Sequence, residues 1–233
     1  MKIKTDLIKV FLNKARMSGK QIITEALFKF EEDGLKIDAN SVPPQSRVMG
    51  WLQRVAFEDY EKLGNIGLND LSNFVKVLTR FGDTITISKE GNLLTLKEGS
   101  KTVDIELVSE NFLATDTKGP NLEFDQTLSL TAAQLKGVYN DVLINEDAVI
   151  TIETDDKKIK FSNTGKYKFR NELSAPSCTP GVKVSFGQPL IDATSNLDGN
   201  LEISLKSNYP IKVREITETS VITIITAPRV VTE

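Results

Sequence analysis

The sequence predicts an α+β protein of two similar domains, each an antiparallel sheet with two helices. Three observations point there. Helical periodicity recurs in four separated segments, short alternating runs broken by Gly or Asp turns fill the rest, and the order helix, strands, helix, strands occurs twice. Between the repeats, 111–126 holds Gly119-Pro120 and scattered apolar residues, which reads as a connector. The division is therefore an N-terminal domain, 1–110, a connector, 111–126, and a C-terminal domain, 127–233. A chain of 233 residues is long enough to bury its own cores without a metal or a disulfide.

In order, 5–18 (TDLIKVFLNKARMS) opens with Thr5, suited to capping, and an acid in the first turn. Leu7, Val10, Phe11 and Ala15 share one face, and Gly19 ends the helix. Strand-like runs follow at 21–30 and 35–39, across a Glu31-Glu32-Asp33-Gly34 turn. In 42–54, Pro43-Pro44 disfavours a central strand. The second helix, 68–81, carries the stripe Leu68, Leu71, Phe74 (or Val75) and Leu78. Short strands at 84–89, 92–97 and 101–109 are joined by tight turns. After the connector come a helix at 131–143, a hairpin of 148–153 with 157–162, and strands at 166–170 and 182–186. A short helix at 189–197 has Pro near its first turn, and strands at 201–206, 211–216 and 221–226 close the chain.

Composition excludes much chemistry. There is no histidine, hence no Ser-His-Asp or Cys-His couple and no His ligand. A lone Cys178 makes neither an intrachain disulfide nor a paired-cysteine zinc site, and it fits a reducing compartment. Ser18-Gly19-Lys20 is followed by Gln21, with Lys at position 14, so it is not a phosphate-binding loop. The acids Glu31-Glu32-Asp33 and Asp155-Asp156 fall in hairpin turns, which argues against a carboxylate hydrolase. No catalytic constellation, cofactor site or metal site emerges. No apolar run nears the roughly 20 residues that span a bilayer. Met1-Lys2-Ile3-Lys4-Thr5-Asp6 leads into no apolar h-region, so a cytoplasmic protein without membrane contact is expected.

The helices show a pattern on their polar sides. The first carries Lys9, Asn13, Arg16 and Lys20; the second carries Asn69, Asn73, Lys76 and Arg80 at the same spacings, with no acid in either series. The third offers Lys136 and Asn140, while the fourth offers Ser195 and Asn196 beside Asp192 and lacks Lys and Arg. The chain has a net charge of −3, so the cations are segregated. Two readings stand: an ordinary solvated face, or a surface that meets phosphates without reading bases.

Several stretches bear on this choice. They are Phe30-Glu31-Glu32-Asp33-Gly34-Leu35-Lys36-Ile37-Asp38-Ala39 with Ala56-Phe57-Glu58-Asp59-Tyr60-Glu61, then Leu68-Asn69-Asp70-Leu71-Ser72-Asn73-Phe74-Val75-Lys76-Val77-Leu78, and finally Tyr209-Pro210-Ile211-Lys212-Val213 with Ala227-Pro228-Arg229-Val230. In this order and spacing the chain resembles the DNA sliding clamps of the proliferating cell nuclear antigen type, over nearly its whole length, and in places the T-even phage clamp. The resemblance implies a ring of three protomers, homomeric or heteromeric, with helices lining a hole for duplex DNA and sheets outside. Such a ring tethers DNA polymerase and other replication or repair enzymes, is loaded by a clamp loader ATPase, and has no catalysis or cofactor of its own. The DNA-facing residues would be Lys9, Asn13, Arg16, Lys20, Asn73, Lys76, Arg80 and Lys136.

Partner peptides would dock beside the connector, at Leu113 and Leu122, over a floor of Pro210, Ile225, Ala227 and Pro228. Strand 101–109 would pair with 166–170 of the neighbour, setting Asp104 and Glu106 against Lys166, Lys168 and Arg170. Pro43-Pro44-Gln45 interrupts a strand that is usually long, and the chain is slightly short for the cellular clamps, which implies an archaeal or viral-like member; a eukaryotic member would be nuclear. The competing reading is a structural or scaffold β-rich subunit that does not encircle DNA.

Overall fold

The computed structural model describes residues 1–113, 121–145 and 149–229. The N-terminal half runs β1 (Lys2–Lys4), α1 (Thr5–Ala15), β2 (Ala26–Glu31), β3 (Gly34–Asn40), β4 (Ser46–Gln53), β5 (Phe57–Asp59), β6 (Gly64–Leu68), α2 (Leu71–Leu78), β7 (Thr84–Glu90), β8 (Leu93–Glu98) and β9 (Lys101–Glu106). The C-terminal half runs β10 (Gln126–Thr131), α3 (Ala132–Val142), β11 (Ile150–Asp155), β12 (Lys158–Ser162), β13 (Arg170–Ser174), β14 (Lys183–Phe186), α4 (Gln188–Thr194), β15 (Asn200–Leu205), β16 (Ile211–Ile216) and β17 (Ser220–Thr226). The α+β class with two helices per half is borne out.

All strand pairings are antiparallel. One eight-stranded sheet, ordered β10-β15-β16-β17-β4-β3-β2-β6, runs through both halves. A five-stranded sheet, β5-β1-β7-β8-β9, and a four-stranded sheet, β13-β12-β11-β14, complete the chain. One row of directly opposed residues crosses the large sheet: Leu130, Leu201, Glu215, Ile222, Gly50, Ile37, Phe28 and Ile66. Every member is buried, so this face is covered from edge to edge.

The helices cover it. α1 lies over the β4–β17 junction, where Gly50 makes room: a Cβ there would sit 3.0 Å from Phe11 Cζ. α2 packs beside α1 and sets Phe74 edge-on against Phe28, centroids 5.9 Å apart. α4 rests on β17 and β4, and Thr194 shares a 2.7 Å hydrogen bond with Tyr139 of α3. Burying each large apolar side chain contributes about 1.5–3 kcal/mol. Glu215 is the one charge in the row. Lys14 of α1 reaches it at 2.6 Å, a buried ion pair that ties the halves together.

Several sequence expectations are corrected. Thr5 is the first helical residue and not the cap; β1 runs straight into α1, so Lys4 holds the cap position. Thr5 N–H donates to Asp83 O at 2.8 Å, and its hydroxyl has no hydrogen-bond partner among the described residues. α1 stops at Ala15, because Met17 and Gly19 take positive φ and fold the chain into a 3-10 turn. Gly19 is pressed so close to Asp192 that a Cβ would lie 2.4 Å from its carboxylate. α2 starts at Leu71, capped by Asp70 on Asn73 N–H at 2.7 Å, and Leu68 belongs to β6. Pro43-Pro44 lies in a turn organised by Ser41 Oγ, which accepts Ser46 N–H at 3.0 Å; β4 begins only there and is central after all. β10, with its Leu128/Leu130 alternation, was hidden between connector and helix. The strand expected at 166–170 is shifted to β13. Side-chain amides take the backbone bonds of the preceding residues: Asn145 Oδ1 accepts Tyr167 N–H at 3.0 Å, and Asn163 Oδ1 accepts Phe169 N–H at 2.8 Å.

Two outcomes follow. Lys14→Met leaves Glu215 buried and unpaired, so denaturant unfolding should show a loss of about 3–5 kcal/mol, most of it regained by adding Glu215→Leu; equal stability of the single variant would refute the pair's role. Cys178 is buried, and burial pushes its thiol up from the ordinary range. A thiol reagent at pH 8 should therefore label the folded chain at least tenfold more slowly than the unfolded chain, by roughly the loss of thiolate and access.

Candidate nucleic-acid interface and partner cleft

The outer side of the helices carries an uneven set of cations. On α2, Leu71, Phe74, Val75 and Leu78 turn to the core, and Asn73 and Lys76 stand exposed with Arg80 just beyond the helix end. Lys101, at the start of β9, donates to Arg80 O and lies over the Phe81 ring, 5.5 Å from its centroid. It adds a third cation at the C-terminal end of α2, where the helix dipole favours positive charge. Lys101 was not among the expected DNA-facing residues, because nothing local links a strand start at Lys101 to a helix that ends at Leu78.

α1 is less open than its spacing implied. Lys9 is half-buried and bound to Asp6 Oδ1 at 2.6 Å. Asn13 is half-buried, and its carbonyl accepts Asn196 Nδ2 at 3.0 Å. Arg16 wedges between α1 and α2, with Nη1 3.4 Å from Ser72 Oγ and Nε enclosed without a partner among the described residues. Lys20 does not continue the α1 face; it stands in the 3-10 turn. Lys136 on α3 sits 3.3 Å from Asp198 Oδ1, a surface pair worth about 0–1 kcal/mol and weakened by salt.

A cleft of about 760 Å³ opens between the halves, lined by Lys20, Gln21, Gln45, Gln188, Ala227 and Pro228 among others. Its polar wall is tightly bonded. Asp192 accepts Lys20 N–H at 2.9 Å and Gln188 Nε2 at 2.8 Å. Gln21 Nε2 donates to Gln45 Oε1 at 3.2 Å, and its own Oε1 accepts Ser41 Oγ at 2.6 Å. The segment just after β17 is pinned on both sides, by Ala227 N–H to Gln45 O and Arg229 N–H to Ser185 O.

Of the six expected pocket residues, Ala227 and Pro228 line this cleft. Ile225 lies half-buried on the outer side of β17, between Lys212 and Arg47 in the register; Arg47 is held by both carboxylate oxygens of Asp38 at 2.6 and 2.8 Å. Pro210 and Leu122 are half-buried near Tyr209 and Phe124, whose rings meet edge-on at 5.8 Å with Lys212 Nζ 4.9 Å from the Phe124 centroid. Leu113 is not brought to them. It is buried beside Gly67 on β6, at the far edge of the large sheet, four strands from β17. Residues 114–120 of the connector lie outside the described residues. The cleft's glutamines come from three distant segments, so no motif could have announced them.

Each of the three sheets ends in two edge strands among the described residues, and β9 and β13 are two of these six. Asp104 and Glu106 are exposed on the first, and Arg170 is exposed on the second, while Lys166 and Lys168 are exposed in the turn before it. Among the described residues there is no acid, Cys or His cluster able to hold a metal, and no helix is long and apolar enough to cross a membrane.

No protein-family model matches the sequence, and no curated protein matches it. Solved structures do. The structure of A. fulgidus PCNA bound to the C-terminal region of FEN-1 aligns with a TM-score of 0.87 at 18% identity, covering 100% of this chain and 98% of that one. Proliferating cellular nuclear antigen from Entamoeba histolytica aligns at 0.81 with 20% identity, covering 98% of each chain. The PCNA2-PCNA3 complex from Sulfolobus tokodaii aligns at 0.78 with 20% identity, covering 98% of this chain and 99% of that one. The chain has the fold of the proliferating cell nuclear antigen structures, from end to end.

Proposed function

We propose that this protein is a DNA sliding clamp. It encircles duplex DNA as a ring of three protomers, tethers polymerase and other replication or repair enzymes, is closed on DNA by a loader ATPase, and has no catalysis of its own. Its two clamp domains are 1–110 and 127–233, joined by 111–126. The observation that carries the reading is the one-sided cover of helices on a sheet continuous through both halves, with the cations of α2 on their outer side. A tether that slides needs diffuse positive charge toward phosphates and no base-specific contacts, because each base-specific bond would arrest it. Lys76, Arg80, Lys101 and Asn73, all exposed, serve that role best, and the half-buried Asn13 and Arg16 contribute less. Lys9 and Lys136 contribute less, being paired with Asp6 and Asp198.

Lys20 belongs to the partner cleft. There a docking peptide places a polar side chain among Gln21, Gln45 and Ala227, and its aliphatic and aromatic anchors on Pro210, Ile225 and Leu122. A similar structure, of A. fulgidus PCNA bound to the C-terminal region of FEN-1, supports a clamp that binds partner proteins. Ring closure pairs the free edge of β9 with that of β13 in the next protomer.

In solution the clamp should show three times the 25.8 kDa chain mass, alone or with sister subunits. On primed circular DNA with loader and polymerase, products should lengthen; unchanged product length sinks the proposal. Lys76→Glu with Arg80→Glu should fold normally yet shorten the products and flatten the log–log salt dependence of DNA retention by about two. Lys136→Glu should do less, and an equal effect would count against the inner-face assignment.

A further inference from the structure

The face of the large sheet opposite the helices carries an apolar strip that ends in charge. Val221, Trp51, Lys36 and Lys29 stand directly opposite one another on β17, β4, β3 and β2, and Thr223 opposes Met49 in the next row. Val221, Thr223, Met49 and Trp51 are half-buried, although no helix covers this side. They line a groove of about 370 Å³ into which Lys36 and Lys29 also project. Trp51 is fixed there, because its Nε1 donates to Asp33 O at 3.1 Å.

Lys36 and Lys29 are like charges at directly opposed positions, an arrangement that destabilises a ladder. Their surroundings differ. Lys36 Nζ is 2.7 Å from Glu31 Oε2 and 3.0 Å from Asp33 Oδ2. Asp38, a second acid of the groove, is held by Arg47. The ammonium of Lys29 has no ion-pair partner among the described residues, so it is open to an outside anion. Two strand spacings, about 10 Å, separate Lys29 from Trp51, a span of about three extended residues. A run of phosphates suits this site poorly, since Glu31 and Asp38 line the same groove and would repel it. A single carboxylate needs Lys29 alone.

We propose that this groove docks an extended segment of a partner protein, which sets an aromatic or long aliphatic side chain on Trp51, Val221 and Met49 and a Glu or Asp three residues away on Lys29. The strands beneath are central in their sheet, so the segment binds through side chains and not by adding a strand. The groove shares no lining residue with the cleft between the halves and lies on the face opposite the helices. It therefore stands independently of the clamp reading.

The test uses the full chain and the emission of Trp51, its only tryptophan. The probe is the blocked peptide SGFSGEGS, titrated into the millimolar range. A saturable shift of the emission is expected, and the peptide SGFSGQGS should bind about threefold or more weakly, since it lacks the charge that meets Lys29. Lys29→Glu should reverse the preference, losing the Glu peptide and taking SGFSGKGS instead; a merely structural lysine would not exchange partners in this way. Val221→Lys should abolish binding of all three peptides at unchanged thermal unfolding, and if it unfolds the chain, the exchange at Lys29 decides. No saturable shift, or equal binding of the three peptides by the unaltered chain, overturns the proposal. Tighter binding of oligothymidylate than of the Glu peptide overturns it in favour of single-stranded nucleic acid. None of these results bears on polymerase product length, so failure here leaves the clamp reading standing.

Discussion

The pairing of β4 with β17 is the constraint from which the architecture follows. Seven residue pairs, from Ser46↔Thr226 to Leu52↔Ser220, join the third long strand of one half to the last strand of the other. Because antiparallel register fixes which side chains share a face, this seam puts the apolar rows of both halves on one side of one sheet. The helices then have a single floor. α1 and α4 sit directly over the junction, and the Gly50 gap exists so that Phe11 can reach it. A one-residue slip at this ladder would move every inward side chain of β17 to the outside.

Closing that seam uses polar groups that local spacing assigned to solvent. Lys14 turns inward to Glu215, Asn13 and Met17 lend their carbonyls to Asn196, and Ser18 bonds Asp192 O and shares a bond with Ser195. A buried seam cannot leave such groups unpaired, so one end of α1 is drawn into structure. The exposed positive charge is consequently concentrated at α2, where Lys76 and Arg80 stand open. The polarity of the helical surface is thus a residue of how the halves were joined.

The edges of the smaller sheets obey another rule. Open strand edges invite adhesion, and this chain keeps them short and charged. β9 and β13 are six and five residues long. Their acids and bases guard against indiscriminate pairing.

Much of this was legible in the amino-acid order. The α+β class, the four helices and most hairpins depend on periodicity and turn residues within a few positions, and such signals survive in any context. The cationic character of α2 was legible for the same reason. The rest depended on residues far apart in the chain. β4 is central because β3 and β17 flank it, and the Pro43-Pro44 pair beside it sits harmlessly in a turn. β13 starts late because Asn145 and Asn163 outcompete a ladder for backbone bonds. Lys20 left the helix for a cleft, Lys101 joined α2 from a later strand, and Leu113 lies four strands away from Ile225. Local chemistry determined which elements form; long-range hydrogen bonding and burial alone decided which side chains share a surface, since no short-range pattern records the neighbours that folding supplies.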